Sequence, residues 1–579
     1  MIPSGYTLDP DAFDPVAGPD FSGAELFRCC VARTLLSYNG QPTGKGGAVL
    51  RPDLAMAMPE VSADGLTWTF HLRAGIHYAP PLQQTEIVAA DYIRSLERLA
   101  RLNQQPLTFW SVIRGFDDFV AGKTSSIAGL ESPDGHTLVV RLTQPTGDLG
   151  YRLGFFVIIP IPALPGDPSA ASGVATGHDD GYGAFFVSSG PYMIEGSDKL
   201  DFSLPPKQQQ PVAGLDPGRS LTLVRNPSWS AANDPLRPAY VDRIVISYAS
   251  SNAEAVAKQD AGEVDLVVSF GQQNEALAAQ IRAYGSDPRH GRVDVESADA
   301  VRYLSMNLAV PPFDDLHVRR AVAYAIDRAA IVRILGGSTR ALVTGHVALD
   351  SMEENALLTF DPYRKKDAAA RIAAGRAEMA LSAYDPDRDG LCDVAACRNI
   401  LAISRAGTGG PPPAIYDQIR QDLASVGLMI DVRPLPFGDF FNQLNDPKTH
   451  TPIGMGYIFG KDYPNGADYF VASFESSAIG QFLENASLVG ASPDQLRSWG
   501  YAVTAVPNVD DRIAQCLPLV GTAQTRCWTA LDQYMMEDVV PVVPLDSAND
   551  AHVIPSRIIG YSYDQSMNDP AFDRIAVKH

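Results

Sequence analysis

Residues 301–337 read VRYLSMNLAVPPFDDLHVRRAVAYAIDRAAIVRILGG, and the parsing of the chain turns on this stretch. It opens as a strand. Val301, Tyr303, Ser305 and Asn307 share one face, and Arg302, Leu304, Met306 and Leu308 the other, so both faces carry bulk. Pro311-Pro312 stops the strand, because proline donates no ladder hydrogen bond. A helix is predicted next, with Asp314 or Asp315 setting a carboxylate against the unpaired N–H groups of its first turn. Its apolar stripe is Val318, Ala321, Val322, Ala325, Ala329, Val332 and Leu335, and Gly336-Gly337 ends it. By itself the stretch reads as a buried strand followed by a core helix.

The same succession appears elsewhere. Residues 253–261 and 413–426 read as helices, and strands are predicted at 264–269 and 428–435. This repetition predicts two lobes built from similar α/β units. The N-terminal half adds hairpins: a turn at 62–65 leads into the alternating LTWTFHL of 66–72, and Ser132-Pro-Asp-Gly135 leads into residues 136–142. Helices are predicted over 23–36, 87–102 and 367–381. Residues 165–190, rich in Gly, Ala, Ser and Asp, read as a loop or lid, and 207–218 as a second loop.

With 579 residues, 45% of them hydrophobic and 20% charged, the chain can bury large cores. Its net charge of −21 repels nucleic acid and anionic lipid and excludes both as partners. The longest apolar run, residues 154–164, is too short to span a bilayer and is broken by proline. Met1-Ile-Pro-Ser4 lacks the basic-then-apolar pattern of an export signal, leaving a cytoplasmic protein or a mature domain with an added start methionine.

The six cysteines favour export. Cys392 and Cys397, and Cys516 and Cys527, form two close pairs that predict local disulfides in an oxidising compartment. Cys29 and Cys30 are adjacent in an apolar segment, where one or both read as buried thiols. No CxxC occurs, and no histidine stands at zinc-ligand spacing from the pairs.

Catalytic signatures are scarce. G-x-S-x-G, H-E-x-x-H and a G-x-G-x-x-G at a strand–helix junction are all missing, and the ten histidines are scattered. Gly122-Lys123-Thr124 is no phosphate loop, because Asp117 occupies the position that needs glycine. The chain is therefore not expected to be an enzyme, and no cofactor is required. The acidic loop DPDRDGLCD is more informative. Asp385, Asp387, Asp389, the Leu391 carbonyl and Asp393 fall on alternate positions that can fold oxygens round calcium, although Ala396 replaces the final bidentate glutamate. A structural calcium is the expectation, set against a solvated acidic turn. Residues 456–464, GYIFGKDYP, place Tyr457, Phe459, Asp462 and Tyr463 in one loop. Aromatic walls with one carboxylate suit a cation or a ligand ammonium group.

An ordered series of short words now takes on meaning. RPDLA at 51–55, VSADGLTWTFHLRAG at 61–75, VAADYIRSLER at 88–98, SGPY at 189–192, RNP at 225–227, GEVD at 262–265 and PPFDD with VRRAVAYAIDR at 311–328 together resemble the extracellular solute-binding proteins of ABC transporters, in the oligopeptide/dipeptide/nickel-binding family 5. The resemblance runs over nearly the whole chain.

It implies an α/β, two-lobed periplasmic-binding-protein-like clamp of class II type with an extra subdomain. Lobe I would comprise residues 1–49, 190–300 and 531–579, the extra subdomain 50–189, and lobe II 301–530. The implied function is the extracytoplasmic substrate-binding component of an ABC importer. It captures peptides between the lobes by closure and delivers them to a membrane permease. A monomer is expected, periplasmic or anchored at the cell surface as a lipoprotein. In peptide-binding relatives the aspartate of a Trp-x-x-Asp motif pairs with the ligand's α-ammonium. Asp462 fits, and Phe459 stands in place of the tryptophan, keeping an aromatic wall and losing an indole N–H. Tyr38, Tyr303 and Asn307 are further candidates to line the cleft. The alternatives are the same transport role with an oligosaccharide, metal chelate or opine, a secreted hydrolase, and a signalling receptor or chaperone.

Overall fold

The computed structural model describes residues 13–16, 23–102, 109–163, 179–204, 208–268, 275–407, 410–481 and 485–578. The chain divides into two units, Met1–Glu296 with Ala551–His579, and Ser297–Asp550. It crosses from one to the other twice, each time inside a long strand: Gly291–Met306 on the way out and Val542–Pro555 on the way back. The resemblance sets the return at 530/531. The structure places it twenty residues later, because the helix Gly521–Tyr534 and the first part of the returning strand pack in the second unit.

Among the described residues the first unit carries, besides three two-stranded sheets, two four-stranded antiparallel ones. One orders Glu60–Val61, Thr67–His71, Thr137–Arg141 and Leu130–Asp134, and realises both predicted hairpins. Trp68, Phe70, Leu138 and Val140 alternate inward and are buried. The helix Ala89–Leu102 lies on this sheet. The other sheet orders Arg243–Ser247, Ser220–Arg225 and Tyr192–Ile194, with Leu215–Asp216 also paired to its middle strand. One hydrophobic cluster joins both regions, from Phe13 to Ile246. The helix expected over 23–36 stops at Val31, after which Leu36–Ser37 pairs as a strand. Val264–Val268, expected as a strand, joins no ladder. Most of the expected lid, residues 164–178, lies outside the described residues.

The second unit is built on a six-stranded mixed sheet. Its order is Ala341–Leu342, Val542–Pro555, Gly291–Met306, Ile453–Gly460, Ile400–Arg405 and Ile430–Leu435. Ile400–Arg405 runs parallel to both neighbours, while Gly291–Met306 and Ile453–Gly460 are antiparallel. The predicted helix after Pro311-Pro312 is two helices, Leu316–Ala325 and Arg328–Leu335. Asp315 caps the first by accepting from the His317 N–H at 2.8 Å. Ile326 leaves the helical region, and Asp327 starts the second helix by accepting from the Ala330 N–H at 2.9 Å. The break resets the apolar phase: Ala330 and Ile331 are buried, whereas Ala329 of the expected stripe is exposed.

Both expected disulfides, Cys392–Cys397 and Cys516–Cys527, are present, and Cys29 and Cys30 are joined to each other instead of being free thiols. No helix among the described residues is long and apolar enough to cross a membrane. Replacing Asp327 by Ala removes the cap and should lower stability by about 1 kcal/mol in urea unfolding. An unchanged midpoint would show that the second helix starts without it.

Candidate functional site

Strand register builds the site. In the antiparallel ladder Val301 stands opposite Phe459 and Tyr303 opposite Tyr457, with an irregularity just after the tyrosine pair. Residues directly opposite share a face, so the two tyrosine rings stack, with centroids 4.7 Å apart and planes 27° apart. Phe441 meets Tyr457 edge-on at 5.4 Å. Phe459 meets Tyr469 edge-on at 4.5 Å, and Tyr469 lies on the helix Gly466–Phe474. Burial, followed by the nearby Tyr457 and Tyr469 hydroxyls, pushes the Tyr303 hydroxyl well above its ordinary range. The Tyr303 phenol therefore stays neutral. Tyr457 and Phe459 therefore sit on a strand, Ile453–Gly460, and not in the loop expected from the sequence.

The loop proper runs from Lys461 to Asn465. Lys461 turns inward, and its Nζ lies 2.5 Å from Asp299 Oδ2, with each side chain only 1% exposed. The next residue, Asp462, donates its backbone N–H to Asp468 Oδ2 at 2.9 Å. Asn465 caps the following helix by accepting from the Ala467 N–H at 2.9 Å, and its amide donates to Gln524 Oε1 at 3.0 Å. The Asp462 carboxylate is partly buried and has no cationic partner among the described residues. Burial pushes it up to about 6.

The remaining expected residues are placed differently. Tyr463 is buried in the second unit. Asn307 is also buried; its amide donates to Tyr501 Oη at 2.8 Å and its oxygen accepts from the Ala309 N–H at 3.0 Å, so its polar atoms hold local structure. Tyr38 is buried in the core of the first unit.

Sequence reasoning missed a cavity of about 570 Å³ in the second unit, lined by Ser404, Arg405, Pro411, Tyr416, Asp431 and their neighbours. Tyr416 donates to the Arg405 carbonyl at 2.9 Å, and the Arg405 guanidinium lies 5.4 Å from the Phe437 ring centroid. Burial holds the Arg405 pKa below its ordinary value. Gly456 joins this cavity to the tyrosine strand. It sits at φ +92°, and a Cβ there would come 2.6 Å from the Tyr416 hydroxyl.

The acidic loop also folds locally. Asp385 is buried and accepts from the Arg388 and Gly390 N–H groups at 2.8 and 2.7 Å. Asp389 accepts from the Leu391 N–H at 2.8 Å. One oxygen from each of Asp385, Asp387, Asp389 and Asp393 lies within 4.8 Å of the others. The Asp389 N–H favours a charged Asp387, yet its hydrogen bond with Asp385 and repulsion from Asp389 and Asp393 leave its pKa raised. The donor set therefore fits a hard cation.

The family model for bacterial extracellular solute-binding proteins, family 5 Middle, matches residues 49–481. Heme-binding protein A of Haemophilus influenzae is 26% identical over 293 residues, half of this chain and 47% of that protein. The oligopeptide-binding protein OppA of Bacillus subtilis is 24% identical over 57% of this chain and 55% of its own length. The chain thus spans about half the length of these curated relatives. The solved structure of clavulanic acid biosynthesis oligopeptide binding protein 2 superposes with a TM-score of 0.74 at 23% identity, covering 100% of this chain and 95% of that one. That likeness shows the fold, the α/β fold of the periplasmic binding proteins.

Lys461→Met would leave Asp299 buried and unpaired. It should cost about 3–5 kcal/mol in urea unfolding, with Asp299→Asn in the same chain recovering part of the loss. Equal stability of the single variant and the wild type would refute the pairing.

Proposed function

We propose a peptide-capturing role for this chain, which belongs to the bacterial extracellular solute-binding proteins of family 5. In this reading it is the extracytoplasmic substrate-binding component of an ABC importer and hands its ligand to a membrane permease. It acts as a monomer, exported and either periplasmic or anchored at the cell surface. One observation carries the ligand class: Asp462 is a partly buried carboxylate with no cationic partner among the described residues. Ionised burial without a partner is unfavourable, and the α-ammonium of a peptide supplies the missing charge. Phe459, Tyr303 and Tyr457 belong to the same ladder, where the two tyrosines stack and are buried. Arg405 supplies positive charge in a separate cavity of that unit. An oligosaccharide needs stacked rings and neutral hydrogen-bonding groups, and leaves Asp462 uncompensated. The acidic loop holds a structural calcium ion through Asp385, Asp387, Asp389 and Asp393, with the Leu391 carbonyl as a fifth ligand.

Native mass spectrometry of the purified protein, followed by denaturing release, tests the ligand class. Peptides are expected, and release of sugars or chelates alone would overturn the reading. Asp462 gives a sharper test. Burial holds its carboxyl at about 6, above the ordinary aspartate range, so it favours the ligand-free fold at low pH and loses that effect as pH rises from about 4 to 6. Asp462→Asn should therefore stabilise the ligand-free protein at pH 7.5 by about 1–3 kcal/mol. The same change should weaken peptide binding at least about thirtyfold in calorimetry. Wild-type affinity should fall as pH drops below about 6, while the variant stays flat. Unchanged affinity in the variant would remove Asp462 from the site.

For calcium, the thermal midpoint should rise with millimolar Ca2+ and fall with chelator, and Asp387→Asn with Asp389→Asn should abolish the response. A midpoint indifferent to both additions would leave the loop as a solvated turn.

A further inference from the structure

The second unit buries another set of ionisable groups that peptide capture does not use. His346 and Glu353 lie in the segment after the short strand Ala341–Leu342, and Asp532 comes from the helix Gly521–Tyr534. Their exposures are 4%, 1% and 0%. One donor atom from each lies within 4.8 Å of the others. His346 Nδ1 stands 3.4 Å from Asp532 Oδ2 and 3.8 Å from Glu353 Oε2. Among the described residues neither oxygen of Glu353 has a hydrogen-bond partner, and neither does His346 Nδ1. Leaving a buried polar atom unsatisfied costs about 1–3 kcal/mol, more when it is charged. A carboxylate sealed from water, whose only basic neighbour among the described residues is His346 Nδ1 at 3.8 Å, beyond hydrogen-bond reach, has room for a cation.

We propose that His346 Nδ1, a Glu353 carboxylate oxygen and Asp532 Oδ2 bind one divalent transition-metal ion. The spacing supports it. Two ligands about 2.0–2.2 Å from a tetrahedral ion stand roughly 3.3–3.6 Å apart, close to the distances these atoms already keep. The groups behind the ligands support it too. Asp532 is aimed by the Val347 and Ala348 N–H groups, at 3.2 and 2.9 Å. His346 Nε2 faces Asp350 Oδ1 at 3.3 Å, so the ring turns its second nitrogen to a carboxylate and its Nδ1 to the other two ligands. The imidazole nitrogen selects a borderline metal such as zinc over calcium or magnesium, which take oxygen ligands. This separates the site from the all-oxygen acidic loop, where three of the four carboxylates are exposed. The ion fastens residues 346–353 to a helix that the Cys516–Cys527 disulfide already ties to its neighbour.

The test uses the full chain stripped with chelator, dialysed against micromolar Zn2+ and analysed by elemental mass spectrometry. About one zinc per chain is expected to survive gel filtration. Glu353→Gln keeps the side-chain shape and should weaken zinc at least about tenfold, whereas Asp387→Asn with Asp389→Asn should leave it unchanged. The proposal is overturned if the wild type retains no stoichiometric zinc, if Glu353→Gln binds as tightly, or if the acidic-loop variant loses the ion. Should Glu353→Gln fail to fold, Co2+ loaded into the wild type decides. Visible bands of a four- or five-coordinate ion support the site, and the spectrum of hydrated cobalt overturns it.

Discussion

Lys461 and Asp299 put two opposite charges out of reach of water, each side chain 1% exposed and 2.5 Å from its partner. Either alone would be expensive to bury, so they hold together two segments that are far apart in sequence. Asp299 lies just past the first crossing between units, at a left-handed φ of +42°, a conformation that aspartate tolerates better than most residues. Ala300 then pairs with Gly460, and the two-residue period of a strand brings Val301 to Phe459 and Tyr303 to Tyr457. The stacked tyrosines follow from that register.

The same pair accounts for the condition of Asp462. Lys461, its nearest basic neighbour in sequence, is committed inward to Asp299 and cannot neutralise it. Arg302, on the adjoining strand, is likewise committed to Asp546, with Nε 3.0 Å from a carboxylate oxygen. The local cations are therefore used to hold the sheet, and one carboxylate is left half-buried without one. A group in that state favours whichever ligand brings a positive charge with little other bulk, which is the chemistry of a peptide N-terminus.

Local features were the legible ones. The acidic loop has its carboxylates within nine residues, and both hairpins have their turns within four, so sequence spacing alone finds them. Asp462 and Phe459 stand three residues apart, so a short motif singles them out as candidates. Tyr303 and Tyr457 could each be picked as candidates, but their stacking depends on a long-range register that no window contains. The break at Ile326 was hidden by a stripe that stays apolar across it; Asp327, an N-capping residue inside a helical pattern, was the available signal. Asn307 reads as a polar residue on a strand, and only the structure shows that its amide N–H goes to Tyr501 and its oxygen to the Ala309 N–H. His346, Glu353 and Asp532 escaped because the third residue comes from a helix remote in sequence, beyond any ligand-spacing rule.

The acidic surplus and Asp462 act over different ranges. A net charge of −21 draws cationic solutes toward the protein, but at physiological salt that field decays over about 8 Å. It speeds encounter with any cation and cannot tell an α-ammonium from a lysine side chain. Discrimination needs a carboxylate with a fixed position. Asp462 has one, because its own N–H is held by Asp468 and the helix that follows is capped by Asn465. Phe459 adds a wall but, unlike tryptophan, no N–H, so it contributes shape without a directional bond. In the proposed peptide-binding reading, affinity at this end of the ligand rests on one ion pair and its desolvation. On that reading a ligand with a blocked amine loses the ion pair, whereas changes further along its chain leave it in place.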